Sequence, residues 1–223
     1  MVSSRTSQPN SWLPKGPALL FAPADRPERF AKAADRSDMV ILDLEDGCRA
    51  ENRAEARKNV QHADLDPERT IVRINAVDSP DFAEDLAAVV DSPYRTVMVS
   101  KVECGFSLGD ANSNDRPLPA DFRVIALIET PRGVVNLPEI AADPQVVALF
   151  WGAEDLTAAL GGTSSRYSAD EVPTPGGGPS GHPGGYREVP RLTRALVLTH
   201  AAAAGIVALD SIHADTTDTK GAS

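Results

Sequence analysis

The chain has 223 residues and a formal net charge of −10, with 42% apolar and 24% charged residues. So acidic a chain is poorly suited to nucleic acid, whose affinity for proteins comes largely from neutralised phosphates. No apolar run approaches the ~20 residues needed to cross a bilayer, and the composition is that of an ordinary soluble domain, expected to be cytoplasmic.

Residues 1–16 lack the apolar core of a secretory signal and read as a polar, flexible leader. Residues 17–223 are expected to form one domain. Strand-like runs are Ala18–Ala24, Met39–Leu44, Thr70–Asn75, Thr96–Val102, Phe122–Ile128, Val146–Gly152 and Ile206–Ser211. Each is short and apolar on both faces, the pattern of strands buried within a parallel sheet. Helical patterns lie between them at Pro27–Asp35, Glu51–Ala63, Ser79–Val90, Pro131–Ala142 and Arg187–Ala204. The repeated β–α order implies right-handed crossovers and a parallel α/β architecture. Gly105–Pro119 is too rich in Gly, Asn and Pro for a helix, and residues 172–185 (VPTPGGGPSGHPGG) read as a mobile surface loop. Cys48 and Cys104 show no metal-ligand spacing and read as reduced thiols.

Charges collect where the apolar runs stop. The second run ends Asp43–Leu44–Glu45–Asp46, the third carries Arg73 and Asn75, and the fourth ends with Lys101 and Glu103. Glu129 closes the fifth, Glu154 and Asp155 follow the sixth, and Asp210 ends the seventh. These are carboxyl ends, where barrels and open parallel sheets carry their ligand sites. Carboxylates crowded on one rim must protonate, pair or bind a cation. Oxygen donors without histidine or cysteine favour Mg²⁺, or Mn²⁺, over zinc. His62 and His200 fall in helix patterns, His182 in the loop, and only His213 follows a strand. A Schiff base on Lys101 is the alternative, but Glu103 and the acidic rim favour an ion pair there. No GxxxxGK[ST] occurs and no Gly-rich turn follows the first strand, which disfavours phosphate-loop and nicotinamide chemistry. A basic cluster, Arg26, Arg29, Lys32 and Arg36, lies beside the first strand.

In order along the chain, LFAPADRPERFAKA, VILDLEDG, VRIN, SKVE, LIETPRG and FWGAEDL followed by Gly161–Gly162 resemble the citrate lyase β-subunit-like proteins. That family lies in the wider superfamily of acyl-CoA lyases and metal-dependent oxo-acid aldolases, and the likeness spans roughly Leu19 to Ala214. It implies a TIM-type (β/α) barrel that binds Mg²⁺ and cleaves or condenses 3-hydroxyacyl-CoA thioesters, with citryl-, malyl- and citramalyl-CoA as candidate substrates. By the same likeness Glu129 and Asp155 are the metal ligands, and Arg73 binds the oxo-acid carboxylate. Glu129, Gly152, Ala153 and Glu154 surround the substrate. Phe21, Arg26 and Lys32 fall in the CoA-binding stretch, and Glu45 and Asp46 form the acidic pair beside Arg73.

The chain stops soon after its seventh strand, so the barrel is expected to lack an eighth, supplied by a further segment or by a neighbouring subunit. The resemblance also implies a homo-oligomer, with a trimer favoured. An aldolase using a free oxo acid without CoA, and a catalytically silent CoA- or oxo-acid-binding subunit, are the alternative readings.

Overall fold

The computed structural model describes residues 12–105, 119, 121–168, 171 and 184–212. The expected loop at 172–185 lies almost wholly outside the described residues, as do His182, His213, residues 1–11 of the leader and most of Gly105–Pro119. Seven strands are present: β1 (Leu19–Pro23), β2 (Met39–Asp43), β3 (Thr70–Ile74), β4 (Thr96–Val99), β5 (Arg123–Ile128), β6 (Val146–Trp151) and β7 (Val207–Leu209). They pair in chain order, and each pair is parallel. Among the described residues β1 and β7 each have one partner. The architecture is therefore a barrel-like parallel sheet lacking a strand, as the sequence predicts.

Alternation along each strand builds two apolar layers, which is why the runs look continuous. Met39 and Ile41 of β2 join Ile71, Met98, Ile125, Leu127 and Phe150 on one face. Val40 and Leu42 join Val72, Val97, Val99, Val124 and Leu149 on the other, beneath the helices. Most are fully buried, and each such aliphatic side chain contributes on the order of 1.5–3 kcal/mol relative to exposure. Trp12 is buried with the first layer. The nearby Lys15 N–H donates to Met39 Sδ at the start of β2, which puts this segment at the amino ends of the strands.

The connecting helices are α1 (Phe30–Arg36), α2 (Arg53–His62), α3 (Phe82–Val90), α4 (Pro131–Val135), α5 (Leu137–Ala141), α6 (Ala153–Ala159) and α7 (Glu188–Ala204). The expected helix Pro131–Ala142 is two, broken at Asn136, because Pro138 cannot donate to an upstream carbonyl and starts a new first turn. The fourth strand ends at Val99, not Val102, because Lys101 has φ 51° and leaves the extended path.

Candidate active site at the strand carboxyl ends

The turn after β2 is organised by Asp43. One carboxylate oxygen accepts the Glu45 N–H at 3.0 Å, and the other accepts the Gly47 N–H at 2.8 Å. A Cβ on Gly47 would lie 2.2 Å from Asp43 Oδ2, so only glycine lets the chain close so tightly on the carboxylate. The same carboxylate takes Arg73 Nε at 2.7 Å and Nη2 at 2.6 Å, a two-pronged pair. Arg73 Nη1 lies 3.1 Å from Glu45 Oε2, and the guanidinium sits 4.9 Å above the Phe21 ring.

Glu129 directly follows β5, with only 3% of its surface exposed. Its Oε1 accepts the Lys101 N–H at 3.0 Å. On its other side is Gly152, where a Cβ would fall 2.6 Å from Oε2. Directly downstream, Thr130 Oγ1 accepts the Gly133 N–H at 3.1 Å and caps α4, whose first residue is Pro131. The LIETPRG run thus bolts Glu129 between a strand end and a helix start. Asp155, in the first turn of α6, reaches the same place from β6.

The two carboxylates meet at one cation. Lys101 Nζ is 3.2 Å from Asp155 Oδ2 and 4.0 Å from Glu129 Oε1. It also contacts Glu45 Oε1, with Asp46 Oδ2 at 3.8 Å. Burial pushes Glu129 up to about 8, with the Asp155 and Glu45 charges adding and Lys101 and Arg73 opposing. Burial likewise raises Glu45, but its hydrogen bond from Lys101 and the Arg73 charge prevail and hold it below the usual range. Asp46 is raised by burial and by the neighbouring Glu45 charge. Lys101 is raised in spite of its burial by Glu45 and the other rim acids, which keeps it an ammonium ion and disfavours a Schiff base.

The donor chemistry fits Mg²⁺. Glu129 and Asp155 are hard oxygen donors lying within 4.0 Å of one nitrogen that already carries positive charge. Among the described residues no three His, Cys, Asp or Glu side chains are arranged to hold an ion alone, so water and substrate oxygens would complete the shell.

Several expected members diverge. Glu103 does not join Lys101; beyond the positive-φ residue it faces Arg132, 3.6 Å from its Nε. Asp210 accepts the Trp151 Nε1–H at 2.9 Å and pairs with Arg194 of α7, away from the rim acids. Glu154 is exposed, and its carboxylate accepts the Ser165 hydroxyl at 2.5 Å. Gly152 and Ala153 lie beside Glu129 and Asp155, where β6 passes into α6. Of the basic cluster, Lys32, Arg29 and Arg36 line a cavity of about 360 Å³ that Phe21 also lines. Arg26 does not; it lies 3.7 Å from Glu28.

A buried network unmarked in the sequence supports the rim. Asn75 Nδ2 donates to the Leu44 carbonyl at 3.1 Å and to Asp85 at 2.7 Å, and Asp85 accepts Arg57 Nε at 2.8 Å. The one available signal was Arg57 on the inward face of α2, between Ala56 and Val60.

Residues 18–223 match the family described as HpcH/HpaI aldolase/citrate lyase. The chain belongs to that family. Within it, the citrate lyase subunit beta-like protein of Mycobacterium tuberculosis is 47% identical over 206 residues, covering 92% of this chain and 67% of that one. The L-malyl-CoA/beta-methylmalyl-CoA lyase of Cereibacter sphaeroides is 33% identical over 172 residues, covering 66% of this chain and 54% of that protein. The chain thus spans about two thirds of the mycobacterial relative and about half of the malyl-CoA lyase. A crystal structure of M. tuberculosis CitE with magnesium, acetoacetate and coenzyme A superposes with TM-score 0.80 at 46% identity, covering 93% of this chain and 69% of that one. The citrate lyase beta subunit of the same organism with oxaloacetate and magnesium gives 0.79 at 46%, covering 93% and 83%.

Proposed function

We propose that this protein is a Mg²⁺-dependent carbon–carbon lyase that cleaves, or forms, a 3-hydroxyacyl-CoA thioester, with acetyl-CoA and a 2-oxo acid on the other side of the reaction. The observation that carries this reading is the approach of Glu129 and Asp155 to one cationic point on the rim. Family members of known structure bind magnesium with oxaloacetate, or with acetoacetate and coenzyme A, which supports the same substrate class.

Glu129 and Asp155 would hold the ion, and a bound Mg²⁺ would supply charge stabilisation to the oxo-acid oxygens. Arg73, whose Nε and Nη2 are held by Asp43 and whose Nη1 faces Glu45, is the guanidinium we assign to the substrate carboxylate. Asp43 and Glu45 keep that guanidinium from turning. Asp46, 60% exposed at the rim with its proton affinity raised, is the acidic-pair member with room to touch a substrate. The Gly152–Glu154 turn borders the same space. Lys32, with Arg29 and Arg36, offers positive charge to the CoA phosphates beside Phe21. Arg26 is assigned to the same nucleotide end, reached from outside the cavity.

Among the described residues no helix is long and apolar enough to cross a membrane, and Cys48 and Cys104 are free thiols, in keeping with a cytoplasmic setting. A homotrimer is the assembly we favour, on the family resemblance alone. The deciding experiment is mass-spectrometric detection of acetyl-CoA release from malyl-, citramalyl- and citryl-CoA. Turnover of one of them that stops with chelator is expected. Tight Mg²⁺ and oxo-acid binding without turnover of any thioester would favour the silent-subunit reading.

A further inference from the structure

Lys101 is the one described non-glycine residue with positive φ, 51°, a backbone region that side chains bearing a Cβ rarely enter. Its neighbours hold it there. Ser100 donates from both N–H and Oγ to the Ile74 carbonyl, at 3.2 and 2.9 Å, and Val102 N–H donates to Leu127 O at 3.1 Å. The peptide between these anchors has turned so that the Lys101 N–H meets Glu129. Its side chain crosses the rim to Glu45, Asp155, Asp46 and Glu129, from three different strand-end turns. An unfavoured conformation maintained by surrounding bonds, at the meeting point of four acids, marks a site with a task.

We propose that Lys101 is a built-in counter-cation that competes with a divalent metal for Glu129 and Asp155 and so sets the affinity of the centre. The inference rests on the metal assignment made above. An ammonium ion 3.2 Å from Asp155 and a metal ion bound to Asp155 repel across a short gap. They cannot share the same oxygens. The lysine has a second anchorage, because its nitrogen already contacts Glu45 and has Asp46 Oδ2 at 3.8 Å, both in the turn after β2. Its flexible four-carbon stem allows a retreat toward that pair without backbone change. The geometry therefore describes an exchange: metal entry breaks the approach of Nζ to Asp155 and Glu129 and leaves its contacts with Glu45 and Asp46. Lys101 weakens metal binding while offsetting the negative charge of the rim.

The test is calorimetric titration of Mg²⁺ into wild type, Lys101→Met, Lys101→Arg and Asp155→Asn, with thermal unfolding in chelator and in excess Mg²⁺. Lys101→Met should bind Mg²⁺ about tenfold more tightly or better, since one close positive charge is removed. Its unfolding temperature in chelator should fall below wild type, and its rise on adding Mg²⁺ should be larger. Lys101→Arg keeps the charge and should stay near wild type. Lys101→Gln answers the same question if the methionine variant does not fold. Equal or weaker Mg²⁺ affinity in the folded neutral variant overturns the inference. If Asp155→Asn loses Mg²⁺ binding while Lys101→Met matches wild type, the metal assignment stands and the lysine inference alone fails. If Asp155→Asn binds as tightly as wild type, both fail.

Discussion

Asp43 closes the side-on edge of Arg73, taking Nε at 2.7 Å and Nη2 at 2.6 Å, and with the same two oxygens it anchors the N–H groups of Glu45 and Gly47. One buried carboxylate thus fixes the proposed substrate-gripping guanidinium and the acidic turn together. Asp43→Ala should cost about 3 kcal/mol in urea unfolding, because it removes the two-pronged partner of a buried guanidinium and leaves it only Glu45. Arg73→Lys keeps a charge but not the fork, and should weaken oxo-acid binding more than CoA binding. Equal loss of both ligands in equilibrium titrations would contradict the role given to Arg73.

Glu129→Gln and Asp155→Asn test the metal ligands. Each removes one of the two anionic oxygen donors and keeps the shape of the side chain. Mg²⁺ affinity by calorimetry should drop by more than about tenfold in either, in proportion to lost ligand charge, with circular dichroism unchanged. Full affinity in either variant removes that residue from the ligand set.

Gly152→Ala probes the same centre through packing. The backbone there is ordinary, φ −110° and ψ 114°, so alanine meets no conformational penalty. Its Cβ would instead fall 2.6 Å from Glu129 Oε2 and force that carboxylate aside. A fall in Mg²⁺ affinity of about tenfold is expected, the scale of disturbed supporting contacts around a metal. Unchanged affinity would mean that Glu129 can move without consequence to the metal.

Much of this was legible in the sequence, because strands buried on both faces write themselves as apolar runs and their carboxyl ends as the charges that follow. Order, parallel pairing and the gathering of Glu45, Asp46, Arg73, Lys101, Glu129 and Asp155 come from that single pattern. Periodicity says nothing about where a strand gives out, so it groups Glu103 and Asp210 with the rim acids although Lys101 turns the chain and Arg194 draws Asp210 away. Nor does it reveal which prong of an arginine is in use. The Arg57–Asp85–Asn75 network was illegible for the same reason: it joins two helices and a strand end whose spacing in sequence carries no mutual signal.

The raised proton affinity of Glu129 gives a pH signature with a definite sign. Its value of about 8 exceeds the ordinary glutamate value of 4.5, so between those limits the folded protein holds a proton that the unfolded chain has released. Stability in chelator should therefore be fully present below about pH 4.5 as far as this group is concerned, and decline as pH rises toward 8, by at most about 1.4 kcal/mol per unit. A metal ligand must be ionised, so Mg²⁺ binding below pH 8 should release close to one proton and strengthen with pH. Glu129→Gln has no proton to exchange, and its urea midpoint in chelator should lose this component of the slope between pH 5 and 8. If wild type and Glu129→Gln show the same slope across that range, the buried proton is not on Glu129.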